Sequence, residues 1–99
     1  MYQLKWQSKA QKSLLEIQDY LLQEKVMPWV LDKVVDSIEH TAEKHIAFMP
    51  YMFPALGSDE HLRVCYLPYP YIIYYRVDDA SRTVTVLDIV HGARQSRRH

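Results

Sequence analysis

The sequence predicts an α+β domain in which a helical hairpin packs on one face of a mainly antiparallel four-stranded sheet. A short strand is followed by two stretches with helical apolar periodicity, and three strand-like stretches joined by short turns end the chain. The order is therefore β-α-α-β-β-β. The 99 residues, 48% of them apolar, suit a single domain over residues 1–99 with one modest core.

The chain begins with a strand and an amphipathic helix. Aromatic and aliphatic residues alternate with polar ones over Tyr2–Trp6, which is typical of a short strand. Ser8 is placed as a helix N-cap, and Gln11 three residues on completes a capping box. We therefore expect a helix over residues 8–24, with one apolar stripe formed by Ala10, Leu14, Ile17 and Leu21.

A second helix is expected over residues 28–47. Pro28 suits its first turn, where the missing N–H leaves no bond unmade, and Pro50 stops it. The turn over residues 25–27 is so short that the helices must run antiparallel. The apolar stripe of this helix consists of Leu31, Val34, Val35, Ile38, Ala42 and Ile46.

The second half of the chain predicts an antiparallel meander. A loop with two prolines and a glycine covers residues 48–60, and strands are expected at 62–67, 71–77 and 83–90. The first two strands flank a Pro-Tyr-Pro turn, whose register decides which face each tyrosine takes and is left open. The first strand and residues 62–67 are expected as sheet edges, and the face away from the helices as bare.

The charges are segregated although their sum is zero. All six lysines lie in residues 1–60, whose net charge is −3, and all six arginines lie in residues 61–99, whose net charge is +3. Arginine suits bidentate contacts to phosphate or carboxylate. We therefore place the target-binding surface on the meander and the tail after it, at Arg63, Arg76, Arg94, Arg97 and Arg98.

Several kinds of chemistry are not expected. One cysteine, Cys65, provides neither a disulfide framework nor a cysteine-built zinc site, and it reads as a core residue. Two glycines exclude glycine-rich phosphate loops. His40 and His45 are five apart and are expected on different helix faces, so we predict no metal and no cofactor. Asp78 and Asp79 read as turn residues. Without a long apolar run or signal-peptide core, no membrane segment is expected.

The element order and three segments resemble the RelE/ParE superfamily of type II toxins. These segments are L-L-E-I-Q-D-Y-L at 14–21, LRVCYLPYPYIIYYRVDD at 62–79 and TVLDIVHGAR at 85–94. The resemblance covers essentially the whole chain. It implies a cytoplasmic toxin linked to plasmid stabilisation and growth inhibition, and neutralised by a cognate antitoxin. It implies no small-molecule substrate. Some members of the superfamily cleave mRNA on the ribosome without metal, and others inhibit DNA gyrase.

The nuclease branch requires cations and a proton donor for attack by the 2′-OH. Its basic strand positions are matched here by Arg63 and Arg94, whereas Cys65 and Ile72 occupy two others and the terminal tyrosine is absent. If the protein were a nuclease, Arg63, Arg94 and His99 would be its catalytic candidates.

The H-G-A-R ending and the tyrosine-rich strand are more similar to the ParE branch. The resemblance therefore implies a gyrase inhibitor that blocks replication and is not an enzyme. A metal-independent endoribonuclease acting on ribosome-bound mRNA and an inactive toxin-fold binding module are the alternatives.

Overall fold

The computed structural model describes residues 1–67 and 71–92. Within them the chain forms β1 (Gln3–Trp6), α1 (Ser8–Gln23), α2 (Pro28–Thr41), a π-turn (Ala42–Ile46), β2 (Ala55–Leu56), β3 (Asp59–Tyr66), β4 (Tyr71–Asp78) and β5 (Thr83–His91). The predicted turn over residues 68–70 and the candidates Arg94, Arg97, Arg98 and His99 lie outside the described residues.

One mixed sheet with the order β1-β5-β4-β3-β2 forms the framework. β1 pairs in parallel with β5, and the β5–β4–β3–β2 pairs are antiparallel. The predicted α+β fold is confirmed, but the sheet has five strands where four were expected. The additional strand is β2, which covers the side of β3 that we expected to be a free edge. β1 is an edge, as predicted.

β2 is too short to be recognised from sequence periodicity. Its two residues pair with Arg63 and Asp59 of β3, and the Val64 N–H donates to the Pro54 carbonyl at 3.0 Å just before it. Gly57, at φ 67°, turns the chain back into β3, in a conformation that glycine adopts without strain. A loop rich in proline thus supplies the outermost strand.

The first helix begins without the predicted side-chain cap. The cap position is Gln7, and Ser8 is the first helical residue, with no side-chain hydrogen bond to the helix end. The Gln7 N–H donates to the Val86 carbonyl at 3.0 Å, so the chain stays in the sheet up to this residue. The Gln11 N–H then donates to the Gln7 carbonyl, and the helix starts directly from the strand.

The core lies between the helical hairpin and one face of the sheet. Helix residues at the predicted stripe positions, among them Ala10, Ile17, Val34 and Ile38, are buried. They belong to one cluster with sheet residues of which Tyr75, Ile73, Val84 and Val86 are fully enclosed. Burial of this apolar surface is the main force that holds the hairpin on the sheet.

A bulge in β5 ties α1 to the sheet. Tyr74 and Tyr75 of β4 pair with Asp88 and Val86, so Leu87 is the extra residue. The Asp88 carboxylate accepts a hydrogen bond from Ser13 Oγ at 2.5 Å and lies 3.5 Å from Lys9 Nζ. The bulge therefore brings a polar strand residue within reach of the first helix.

Candidate functional site

The strand register shows which face of the sheet four of the tyrosines occupy, a point that the sequence left open. Tyr71 and Tyr75 are buried on the helix-facing side of the sheet. Tyr74 lies on the opposite side, because it is the neighbour of Tyr75 along β4. Tyr66 lies there as well, because it pairs across strands with Ile72, the neighbour of Tyr71. We call this side the outer face. It is lined by Leu62, Val64, Tyr66, Ile72, Tyr74, Arg76, Thr85 and Lys5.

Of the predicted binding residues that the structure describes, Arg76 is the one on the outer face. In the sheet register it stands between Leu62 and Thr85, and Lys5 is the next residue in the same row. Its Nη1 lies 3.2 Å from a carboxylate oxygen of Asp59, and both side chains are about half exposed, at 49% and 44%. An ion pair this exposed is weak, so the guanidinium can exchange its partner for that of a target.

The pKa of Asp59 is lowered, chiefly because its carboxylate accepts the backbone N–H of His61 and secondly because of Arg76. The same carboxylate therefore fixes the start of β3 and orients the arginine. The Arg76 guanidinium thus lies on the outer face beside the Asp59 carboxylate.

Arg63 lies on the other side of the sheet, and its guanidinium is engaged within the protein. Its Nε donates to the Glu60 carbonyl at 2.7 Å and its Nη1 to the Phe53 carbonyl at 2.9 Å. Its guanidinium carbon lies 4.8 Å from the centre of the Tyr51 ring. Arg63 thus fastens the proline-rich loop to β3, and the structure does not bring it together with Arg76.

Two further strand positions that are basic in nuclease members carry neutral residues. Cys65 is 1% exposed, and burial raises the pKa of its thiol to about 11, so it is an inert core residue. Ile72 lies on the outer face and is buried there. The side chains of Arg63, Cys65 and Ile72 therefore do not converge on one cation-rich site.

A carboxylate that the sequence assigned to a turn joins three distant segments. Asp79 accepts hydrogen bonds from the Tyr2 hydroxyl at 2.7 Å and from the Tyr51 hydroxyl at 2.6 Å. Arg82 stacks on the Tyr2 ring at 4.7 Å, and His61 Nε2 lies 3.7 Å from the carboxylate. We call Tyr2, Tyr51, His61, Asp79 and Arg82 the Asp79 cluster.

Hydrogen bonds and burial shift the pKa values within this cluster. The bonds from Tyr51 and Tyr2 lower the pKa of Asp79. Burial and the bond to Asp79 raise the pKa of Tyr51 to about 12, and the bond to Asp79 raises that of Tyr2. Both hydroxyls thus remain donors at neutral pH. No local sequence pattern marks this cluster, because Tyr2 and Tyr51 are 77 and 28 residues from Asp79.

An apolar groove runs between the end of α2, the loop before β2 and β3. It is lined by Thr41, His45, Met52, Phe53, Cys65, Tyr66 and Leu67. Met52 and Tyr66 are 53% and 65% exposed, so its rim is unusually apolar for a solvated surface. A groove of this kind suits a helix or strand of another protein.

Over the described residues, no group of three or more His, Cys, Asp or Glu side chains is arranged to hold a metal ion. The same part of the chain contains no helix long and apolar enough to cross a bilayer. The prediction about one histidine pair is wrong, however. The rings of His40 and His45 are 5.8 Å apart at an angle of 74°, so they share a face.

Comparison with solved structures identifies the fold. The chain is similar to a chromosomal ParDE toxin–antitoxin system from P. aeruginosa, with a TM-score of 0.74, 22% identity, and 92% of this chain and 96% of that chain covered. It is similar to the RelBE2 complex from Mycobacterium tuberculosis, with a TM-score of 0.60, 22% identity, and coverage of 91% and 96%. For the RelBE complex from E. coli the TM-score is 0.59, the identity 16%, and the coverage 92% and 96%.

Sequence comparison adds the family. No curated protein matches the chain. Residues 4–96 match the family model described as the ParE toxin of the type II toxin–antitoxin system, parDE. This match spans nearly the whole chain, and the structural neighbours belong to the same superfamily. The chain therefore belongs to the ParE toxin family and is a RelE/ParE-type toxin of a type II toxin–antitoxin system.

Proposed function

We propose that this toxin inhibits DNA gyrase by binding it, that it blocks replication in the cytoplasm, and that a cognate antitoxin neutralises it. Membership of the ParE family supports the choice of gyrase. The similar solved structures, which are of toxin–antitoxin systems and complexes, support the antitoxin.

The observation that carries the proposal is what the structure shows at three strand positions that are basic in nuclease members. Arg63 is tied to two backbone carbonyls, Cys65 is buried, and Ile72 is on the other side of the sheet. Attack on a phosphodiester needs cations placed around the developing charge. These three positions supply no such set, which favours a toxin that acts by binding.

The outer face provides a suitable binding surface. It combines Tyr66 and Tyr74 with Arg76 and Lys5, and aromatic residues and arginine dominate the energetics of protein interfaces. Arg76 and Lys5 would meet acidic groups of gyrase or the phosphates of its DNA. The tail arginines 94, 97 and 98 extend the same basic half of the sequence.

Purified toxin incubated with gyrase and supercoiled plasmid should trap gyrase–DNA cleavage complexes and stop supercoiling. Arg76→Ala should weaken this inhibition about tenfold, which corresponds to about 1.4 kcal/mol of lost interface energy. Lys33→Ala removes an exposed cation from the helical hairpin and is the matched control, so its inhibition should equal that of the unmodified toxin.

A parallel reaction with translating ribosomes tests the alternative. Intact mRNA in that reaction is the expected result. If supercoiling is untouched at saturating toxin, the gyrase proposal is wrong, and A-site cuts that Arg94→Ala abolishes would establish the ribosome-dependent nuclease. If neither gyrase nor mRNA is affected and overexpression is harmless, the chain is an inactive toxin-fold binding module.

A further inference from the structure

The end of the second helix brings two histidines together in a way that an α-helix does not. In an α-helix, residues five apart point about 140° away from each other around the axis. After α2, however, the Ala47 N–H donates to the Ala42 carbonyl at 3.0 Å, which is the i→i+5 bond of a π-turn. One extra residue per turn moves residue i+5 close to the place that i+4 takes in an α-helix.

The spacing of the two rings fits two imidazoles that share one metal ion. The ring centres of His40 and His45 are 5.8 Å apart. Two imidazoles on one zinc ion, with Zn–N bonds of about 2.0–2.1 Å, have ring centres about 5–6 Å apart. Both side chains are exposed, so the rings have room to turn their nitrogens toward one ion.

The charges near the pair favour a cation. Glu39 precedes His40 directly, and Glu43 lies between the two histidines in sequence, both exposed. Lys44 is the one basic residue in the π-turn apart from His45. The two carboxylates raise the local concentration of divalent cations, although no third side chain is placed to ligate the ion.

We infer that His40 and His45 form a two-histidine site for a borderline divalent transition metal, such as Zn²⁺, Ni²⁺ or Cu²⁺, on the exposed side of the π-turn. Imidazole nitrogens select these ions over Mg²⁺ and Ca²⁺. Water, or a ligand from a binding partner, completes the coordination. Because an α-helical register would separate the two rings, a bound ion also stabilises the π-turn against that register.

Untagged toxin titrated with Ni²⁺, with binding followed by calorimetry and by NMR signal broadening, tests the site. One ion should bind per chain, and the broadening should centre on residues 40–47. Because two linked ligands bind far more tightly than either alone, His40→Gln and His45→Gln should each weaken binding about 100-fold, the lower end of the range for such linkage. Mg²⁺ should cause no change at the same concentration.

His61→Gln, which removes a histidine of the Asp79 cluster, is the matched control and should bind Ni²⁺ as the unmodified protein does. A thermal unfolding scan of each variant without metal shows whether it is folded. If either single variant in its folded state keeps the affinity of the unmodified protein, or if His61→Gln loses as much, the two histidines do not act as one site and the inference is wrong.

Discussion

Arg63 and Arg76 are the same residue type on neighbouring strands, but they face opposite sides of the sheet. Arg63 pairs with Tyr75, whose side chain is fully buried, whereas Arg76 pairs with Leu62 on the outer face. Both were predicted to bind the target, because the sequence alone does not show on which face of the sheet a strand arginine lies. The register of β3 against β4 decides between them, and that register depends on pairing rather than on composition.

Replacing Arg63 should therefore lower stability. Arg63→Ala removes two charge-assisted hydrogen bonds to carbonyls, and we expect the free energy of unfolding to fall by about 1–2 kcal/mol, allowing for partial exposure. Arg63→Lys should lower the free energy of unfolding nearly as much, because a lysine ammonium cannot donate both hydrogen bonds in the geometry of the guanidinium. Urea unfolding measures both. Arg76→Ala is the control and should stay within about 0.5 kcal/mol, as expected for an exposed pair. Equal stability of Arg63→Ala and Arg76→Ala would contradict this role.

The elements that the sequence predicted well are those whose signal is local and repeated. The stripes of both helices predicted their buried residues, and the three long strands were found within a few residues of their observed bounds. Ser8 failed as a cap because Gln7 is bonded to β5, and β2 was missed because two residues have no period. The π-turn, too, departs from the 3.6-residue period on which the helix prediction rests.

The Asp79 cluster joins three of these elements at one end of the sheet. Tyr2 comes just before β1, Tyr51 belongs to the loop that supplies β2, and Asp79 lies in the turn between β4 and β5. One carboxylate thus holds both outer strands of the sheet to its centre. From the sequence, Asp79 reads only as a turn residue, since nothing local in the chain marks contacts over such distances.

Asp79→Asn should loosen this end of the sheet, and the effect should depend on pH. The pKa of Asp79 is lowered in the folded state, so its charge stabilises the fold above the unfolded pKa of about 3.9 and this contribution is lost as pH falls through the folded value. The difference in free energy of unfolding between the unmodified protein and Asp79→Asn should therefore be largest at neutral pH and should shrink on acidification. Hydrogen exchange of amides in residues 48–58 should be faster in the variant.

Asp32→Asn is the matched control, since it removes an exposed carboxylate from α2. Its hydrogen exchange in residues 48–58 should equal that of the unmodified protein at every pH. A stability difference for Asp79→Asn that grows as pH is lowered would have the wrong sign and would contradict the role of the ionised carboxylate.

At the scale of the whole molecule, β1 links the two halves of the sequence. Its residues 3–6 pair with residues 83–86, so the lysine-bearing, acidic first part is joined to the arginine-bearing second part through one parallel pair of strands. Leu4 and Trp6 pack against the core, and Trp6 lines a groove with Gln11 and Leu14 of α1. Loss of β1 would therefore expose the core and one side of β5 together.

This arrangement predicts that the chain unfolds as a single unit, as the expectation of one domain over residues 1–99 requires. Trp29 is 63% exposed at the start of α2, so Trp29→Phe should hardly affect stability and leaves Trp6 as the one tryptophan. In that variant, urea transitions followed by Trp6 fluorescence and by far-UV circular dichroism should have the same midpoint, which is the test for two-state unfolding. Trp6→Phe, with Trp29 as reporter, gives the comparison from the hairpin. If Trp6 fluorescence changes at a lower urea concentration than the helical signal, β1 detaches before the hairpin unfolds, and the fold consists of separable units.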